Sequence, residues 1–338
     1  MNLIRFLRMS EALARRGHRV HMVMNGSMGA LSPSGGPVEV SRHVRWHDYD
    51  VVKTCCHSGF DALALWGGAD HPCIVSNLGS VVGSGDEEGV YFYNDVREQL
   101  WATQQQVAAR SRVVSILTDR SIALWHRMHG HDDRVLFVPT GVDAEIPPAQ
   151  ANPYAALGIH EPVALYAGNI YSRHKQPEVN LFWQARLNRL GRALMRRGIR
   201  LVVMGPGATD HLDPAAVTHV GTVDFRDVWQ WQWFARVGLV LAQGPVQDNE
   251  SSKIYYYLRS GLPVACEAPV PNAWLVSHTG HGAVVDYDGD DLTPMADAVA
   301  SLATTRLSPD VATYMVRHHS WDLRAAAYAT ALASVARR

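Results

Sequence analysis

Apolar positions along this chain switch repeatedly between helical and strand spacing. Leu3, Phe6, Leu7, Ser10, Leu13 and Ala14 recur at helical intervals over the first sixteen residues, and Gly17 stops the pattern. Arg19–Met24 (RVHMVM) then reads as a strand. Further strands are predicted at Val51–Cys56, Cys73–Ser76, Val113–Leu117 and Val135–Val138, with a helix over Asp119–Met128 ended by Gly130. Residues 144–153 (AEIPPAQANP) have the composition of a linker. The pattern restarts with a strand at Val163–Tyr166, a helix over Pro177–Arg197 ended by Gly198, and a strand at Arg200–Met204. Val237–Leu241, Pro263–Cys266 and Ala283–Val285 are predicted strands with helical patterns between them, and Trp321–Arg338 is an Ala-rich helix. Strands alternating with helices predict an α/β chain with parallel sheets. The expected domains are 1–146 and 154–318, with 319–338 as a closing helix that crosses back to the first. A doubly wound domain opens on a buried strand, yet this chain opens on a helix, so the first strand of the N-terminal domain is absent from the pattern.

Composition narrows the class. The chain has 338 residues, enough for two full cores. Its 31 Lys and Arg against 32 Asp and Glu leave a net charge of -1, which excludes a dedicated nucleic-acid binder. No apolar run is long enough to span a membrane, and the opening residues lack the pattern of a secretory signal. Cys55, Cys56, Cys73 and Cys266 form no C-x-x-C pair, so neither zinc nor a disulfide framework is indicated. A cytoplasmic location is expected.

Three stretches of the second half fall at the carboxyl ends of predicted strands, where ligands of open α/β sheets gather. The first runs from Tyr166 through Gly168, Asn169, Arg173 and Lys175. Its glycine admits a close neighbour, and its cations suit a diphosphate; the plain alternative is a solvated loop with two surface cations. The second, Met204-Gly205-Pro206-Gly207, is a glycine turn that lets something pack on the strand end. The third contains Asp248, Glu250, Ser251, Ser252 and Lys253 and leads into a helix ended by Gly261. Ser251 or Ser252 suits the N-cap, and the free amides of the first turn suit an anion. Lys253 disfavours a bare helix start, so an anionic ligand explains it better than architecture does. No G-x-G-x-x-G or G-x-x-x-x-G-K-[ST] motif occurs. The acidic, glycine-rich run from Gly79 to Glu88 reads as a loop. His126, His129 and His131 invite a metal reading, but their place at a helix end favours a structural role. Cys55 and Cys56 read as buried thiols in a strand. His57 follows that strand and is a catalytic candidate, with a plain polar loop histidine as the alternative.

Several of these stretches together resemble a known family. Ala12–Val23, Val138-Pro-Thr140-Gly141-Val142-Asp143, Tyr166–Lys175, Val203–Gly207, Glu250–Val264 and His319-Ser320-Trp321 are similar, in order, to motifs of the GT-B glycosyltransferases, most of all the retaining family 4. The resemblance implies two Rossmann-like domains facing across a cleft, the second holding a nucleotide sugar. It places the family's phosphate-binding lysine on Lys175. The family's arginine falls on Asn169, which removes one positive charge that Arg173 is placed to supply. The paired carboxylates fall on Asp248 and Tyr256, with Asp248 or Glu250 facing the donor sugar. Tyr256 lacks the bidentate acceptor that a carboxylate offers a ribose.

The function expected from this resemblance is transfer of a sugar from a nucleotide-diphosphate sugar to an acceptor (a glycan, a lipid-linked molecule or a small molecule), with retention, without metal and without a cofactor. Lys175, Asp248, Glu250 and His57 are the catalytic candidates. Gly168, Asn169, Arg173, Gly205, Ser251, Ser252, Lys253 and Tyr256 are the donor-binding ones. The alternatives are a catalytically weak subunit that binds a partner or glycan, and a sugar-nucleotide epimerase. Arg5, Arg8, Arg15 and Arg16 flank the apolar stripe of the opening helix. That pattern fits a helix packed on its own sheet, with peripheral contact to an anionic membrane as the second reading.

Overall fold

The computed structural model describes residues 2–24, 38–83, 96–171, 177–244 and 247–336. In chain order the elements begin α1 (Asn2–Arg15), β1 (Val20–Val23), β2 (Val38–Ser41), β3 (Val52–Cys55), α2 (Cys56–Leu65) and β4 (Ile74–Leu78). They continue with α3 (Arg97–Arg110), β5 (Ser111–Ile116), α4 (Asp119–His129), β6 (Val135–Phe137), β7 (Val163–Ala167) and α5 (Pro177–Met195). Next come β8 (Arg200–Met204), β9 (Val217–His219), α6 (Val228–Phe234), β10 (Val237–Val240), α7 (Ser252–Arg259) and β11 (Val264–Glu267). The last are α8 (Trp274–Thr279), β12 (Gly282–Val285), α9 (Thr293–Leu302), α10 (Pro309–His319) and α11 (Trp321–Ala336). The chain divides into two compact units, Met1–Ala144 with His318–Arg338, and Glu145–Arg317.

The second unit is a six-stranded parallel sheet in the order β12-β11-β10-β7-β8-β9. Its first strand, β7, lies in the middle, and the chain winds outward on both sides, the order of a doubly wound sheet. Val163, Ala164, Leu165 and Tyr166 of β7 are all buried, as expected of a parallel strand covered on both faces. Trp183, Leu187, Leu190 and Leu194 of α5 pack on β7 and β8 residues in one core.

Within this core lies a buried ion pair. Arg186 of α5 meets both carboxylate oxygens of Glu267 at the end of β11, and neither side chain reaches solvent. Arg186 also donates to the carbonyls of Ala242 (3.1 Å) and Asp288 (3.2 Å), while Glu267 accepts from the Ala242 amide at 2.5 Å. Burial raises the Glu267 carboxyl, and the Arg186 guanidinium pulls it back down. The pair ties together the segments that leave β10, β11 and β12.

The first unit carries two separate parallel sheets, β1-β2 and β3-β4-β5-β6. Helix α11 packs Trp321, Ala325 and Tyr328 against Met9, Ala12 and Leu13 of α1 and against Val138. Val142 and Ser320 form a bridge, with Val142 N–H donating to His319 and Trp321 N–H to Val142. A Cβ on Gly141 would stand 2.6 Å from the Trp321 ring, so glycine is what admits the indole. Arg5 donates to the Val138 carbonyl (2.6 Å) and to Thr140, Arg8 pairs with Asp143 (3.0 Å) and Glu11, and Arg15 pairs with Asp322 (3.0 Å). All three arginines of α1 are therefore engaged within the unit.

Each predicted strand has an observed counterpart. Strands β2 and β9 have no counterpart in the predicted pattern. The Val51–Cys56 strand stops one residue early: Cys56 takes φ of 60° and opens α2. Helix α3 carries buried Thr103 and Gln104 in place of apolar residues, which hides its inner face from a hydrophobicity pattern.

Glu267→Ala leaves the Arg186 guanidinium buried without its partner. The expected cost is about 3–5 kcal/mol, read as a lower urea midpoint. A Glu267→Leu, Arg186→Met double variant recovers most of it, because two apolar groups leave no buried charge. An unchanged midpoint for Glu267→Ala means the pair is not desolvated.

Candidate functional site

The candidate site lies in the second unit, where β7, β8 and β10 end and α7 begins. Two loops interlock there. The Gly168 amide donates to the Met204 carbonyl (2.8 Å), and the Ile170 amide donates to the Pro206 carbonyl (2.9 Å). A Cβ on Gly205 would stand 2.0 Å from the Gly168 carbonyl oxygen, and Gly205 also has φ of 147°. Gly207, at φ of 140°, meets the Ile170 backbone in the same way. What packs on the glycine turn at Gly205 is thus the neighbouring loop of the protein.

Asn180 of α5 secures the junction. It is fully buried, and its Nδ2 lies within bonding distance of the carbonyls of Ile170 (3.0 Å), Tyr171 (3.2 Å) and Ala208 (2.9 Å). Gln184 Nε2 donates to Asn180 Oδ1 at 2.7 Å. Asn169 Oδ1 accepts from the Tyr171 amide at 2.7 Å and holds the turn while the residue stays exposed. Tyr171 sits at φ of 72°, and its hydroxyl accepts from Gln243 Nε2 at 2.9 Å.

Lys253 comes to this junction from α7. A Cβ on Gly168 would stand 2.8 Å from Lys253 Cε and from the Tyr166 ring, so the glycine makes room for the lysine stem. The ammonium lies 5.1 Å from the Tyr166 ring centroid, a cation–π contact. No carboxylate among the described residues compensates it, and burial pushes its pKa down to about 8. A lysine in this state gains from any anion that reaches it.

The start of α7 is built differently from the sequence expectation. Ser251 occupies the N-cap position, but its side chain makes no capping bond. Asn272 clamps the residue instead, accepting from the Ser251 amide (2.8 Å) and donating to its carbonyl (2.9 Å). Ser252 opens the helix and Lys253 follows in its first turn. Tyr257, one turn on, accepts from the Ala167 amide (2.8 Å) and donates to the Leu165 carbonyl (3.0 Å), fixing α7 to β7. Asp248 is buried, while Glu250 and Tyr256 are partly exposed. Gln247 shapes the approach to Asp248 by accepting from the Gln243 amide (3.1 Å) and donating to the Asn249 carbonyl (2.6 Å).

Arg173 and Lys175 lie outside the described residues, as do residues 84–88 of the acidic glycine-rich loop. His57 belongs to the first unit, is buried in α2, and is held below the ordinary histidine range by burial, against a hydrogen bond to Gln104. It is therefore neutral near pH 7. His129 bonds Gln104 and stacks on Trp101 and Trp125, and His131 pairs with Asp133. Among the described residues no three His, Cys, Asp or Glu side chains converge as a metal site. A depression of about 440 Å³ in the first unit is lined by Arg110, Arg112 and Arg134, away from the carboxyl ends of the strands.

Asn180, Gln184, Gln243, Gln247 and Asn272 escaped the sequence reading. A buried amide carries no signal in a hydrophobicity pattern; its only trace is a polar residue on the apolar face of a helix, as at Asn180.

The Lys253 shift has a sign that can be tested. The unfolded chain holds this proton up to 10.5 and the folded chain only to about 8. Stability therefore rises with pH through that window, and below it the buried charge is a cost. Lys253→Met is expected to raise the melting temperature near pH 7 by about 2 °C or more, with the gap closing as pH rises toward 10. A variant that melts lower than the parent near pH 7 contradicts the assignment.

No family model matches the sequence, and no curated protein matches it. Solved structures do match. Sucrose-phosphate synthase from Thermosynechococcus elongatus is 14% identical, with 97% of this chain and 91% of that one covered and a TM-score of 0.67. Anabaena HepE in complex with UDP and glucose is 12% identical, with 98% and 95% covered and a TM-score of 0.71. WaaG, a glycosyltransferase involved in lipopolysaccharide biosynthesis, is 16% identical, with 97% and 91% covered and a TM-score of 0.60. The fold of this chain is the GT-B fold of these glycosyltransferases.

Proposed function

We propose that the protein is a glycosyltransferase that moves a sugar from a nucleoside-diphosphate sugar to an acceptor hydroxyl, with retention and without a metal ion. The observation that carries this reading is Lys253: a cation held over Gly168 and Tyr166 at the carboxyl end of β7, with no carboxylate of the described residues to neutralise it. Its surroundings suit a diphosphate. The fold supports the reading, since HepE shares it and is described with UDP and with UDP-glucose.

In this scheme the bond between the anomeric carbon and the β-phosphate oxygen breaks, and its electron pair leaves on that oxygen. The acceptor oxygen bonds to the anomeric carbon on the same face, and its proton passes to the departing phosphate. Lys253, with Lys175 and Arg173 from the preceding loop, stabilises the charge that develops on the diphosphate. Asp248 or Glu250 stands beside the oxocarbenium-like sugar. Asn180, Gly205 and Asn169 act at one remove, by holding the loops in register. Neutral, buried His57 is not assigned a proton-transfer step.

Contact with an anionic membrane remains the second reading for the acceptor side. Arg16, just past the end of α1, is exposed with no side-chain partner among the described residues, and no helix among them is long and apolar enough to cross a bilayer.

Nucleoside diphosphates and their sugars, UDP first, are the probes. Binding is expected to stabilise the protein and to weaken as pH rises above about 8, where Lys253 loses its proton; Lys253→Arg keeps the affinity to higher pH. Lys253→Ala is expected to lower transfer by about two to three powers of ten, and a chelator is expected to leave transfer unchanged. Binding without turnover on any donor favours the weak-subunit reading. Activity that is lost in chelator and restored by manganese contradicts metal independence.

A further inference from the structure

The amino ends of β4, β5 and β6, in the first unit, carry a feature separate from the candidate site of the second. The segments that enter these three strands enclose the depression of about 440 Å³, a volume in the range of small-molecule pockets. Asp70 and Ile74 come from around the start of β4, Ala109, Arg110 and Arg112 from the passage of α3 into β5, and Arg134 stands just ahead of β6. Three guanidiniums therefore share one concave surface with a single carboxylate among the described residues that line it.

The three arginines differ in what they already bind. Arg134 grips Asp132 through Nε (2.8 Å) and Nη2 (3.0 Å), and donates to the carbonyls of Ser111 (3.0 Å) and Ala108 (3.0 Å). Its charge is matched, and it forms a fixed wall. Arg110 and Arg112 have no carboxylate partner among the described residues, and Asp70 pairs with neither. Arg110 donates through Nη2 to the Ala69 carbonyl and lies 5.9 Å from the Phe60 ring centroid. Arg112 reaches the Pro72 carbonyl through Nε at 3.4 Å. Each guanidinium is thus tethered at one nitrogen with N–H groups left over, and both residues are open to solvent.

The backbone singles out Arg112. Ile74 pairs with Ser111 and Val75 with Val113, so β5 carries one more residue than β4 at this point, and that residue is Arg112. A β-bulge re-aims the side chain of its extra residue. Ser111 and Val113 on either side are buried, while Arg112 is exposed at the depression. His71 steadies the facing segment. Its Nδ1 accepts from the Cys73 amide (3.2 Å), and its Nε2 donates to the Tyr49 carbonyl (2.9 Å). The two arginines are therefore presented by a fixed frame, which lowers the cost of ordering them around a ligand.

We propose that Arg110 and Arg112 form a binding site for a phosphate monoester at this end of the sheet. Two guanidiniums without carboxylates match a group that carries close to two negative charges near neutral pH. The planar fork of each offers paired N–H groups to the phosphate oxygens. Ile74 and Ala109 give the organic part of the ester an apolar surface in the same depression. A soluble sugar phosphate and a lipid with a phosphate monoester headgroup share this chemistry.

Calorimetric titration with glucose 6-phosphate and inorganic phosphate, and flotation with vesicles containing phosphatidic acid, test this. Glucose 6-phosphate is expected to bind saturably, more tightly than inorganic phosphate, and more weakly as salt rises. Arg110→Gln and Arg112→Gln are each expected to weaken it by about tenfold or more. Succinate, with the same charge on two separate carboxylates, is expected to bind at least about tenfold less tightly. Lys253→Ala is expected to leave glucose 6-phosphate binding unchanged while it weakens UDP, so this site and the donor reading fail separately. Vesicle binding that is lost in both arginine variants, without binding of glucose 6-phosphate, supports the site with the ester on a lipid. Binding of neither probe, binding that survives both arginine variants, or tighter binding of succinate would overturn it. Loss of glucose 6-phosphate binding in Lys253→Ala would overturn a site separate from the one in the second unit.

Discussion

The carbonyl of Gly168 and the backbone of Gly205 approach more closely than any side chain permits, and the candidate site is arranged around that contact. It brings the loops after β7 and β8 into one layer, which Asn180 holds from below by bonding both. The missing Cβ at Gly168 has a second use, since the stem of Lys253 passes over it. Tyr257 completes the arrangement by tying α7 to both sides of the β7 terminus. The position of one ammonium group therefore depends on two glycines, one amide and one phenol, none of them charged.

Charge separates structure from function in this unit. Arg186 and Glu267 are both buried, and they satisfy each other and the backbone around them. Such a pair adds little net stability over an apolar substitute, although breaking it is costly. Lys253 is the opposite case. Its proton is weakened by burial, with an aromatic face as its nearest compensation. An anion is the partner such a group lacks, and the carboxyl ends of the strands are where a doubly wound sheet offers one.

Other residues that resemble family motifs serve the frame of the first unit. Gly141 makes room for Trp321, Val142 pairs with Ser320, and Asp143 binds Arg8. The arginines of α1 flank its apolar stripe in sequence, and Arg5, Arg8 and Arg15 find partners in α1, in the segment after β6 and in α11. His129 packs between Trp101 and Trp125 and bonds Gln104, an aromatic and polar filler within the first unit.

The sequence by itself determined the alternation of strands and helices, because burial of a strand on both faces demands a continuous apolar run and burial of a helix demands a repeating one. It also marked Gly168, Gly205 and Lys253, whose residue types have few other reasons to stand at strand ends. It did not reveal Asn180, Gln184 or Asn272, because a buried amide is chosen by the carbonyls around it, and those come from segments far away in the chain. It placed Ser251 at the N-cap, where it stands, but not the Asn272 clamp that holds the Ser251 backbone in place of a side-chain cap. Only the tertiary structure decided which glycines face backbone, which arginines are paired, and how burial lowers the pKa of Lys253, since each depends on what a distant segment places within a few ångströms.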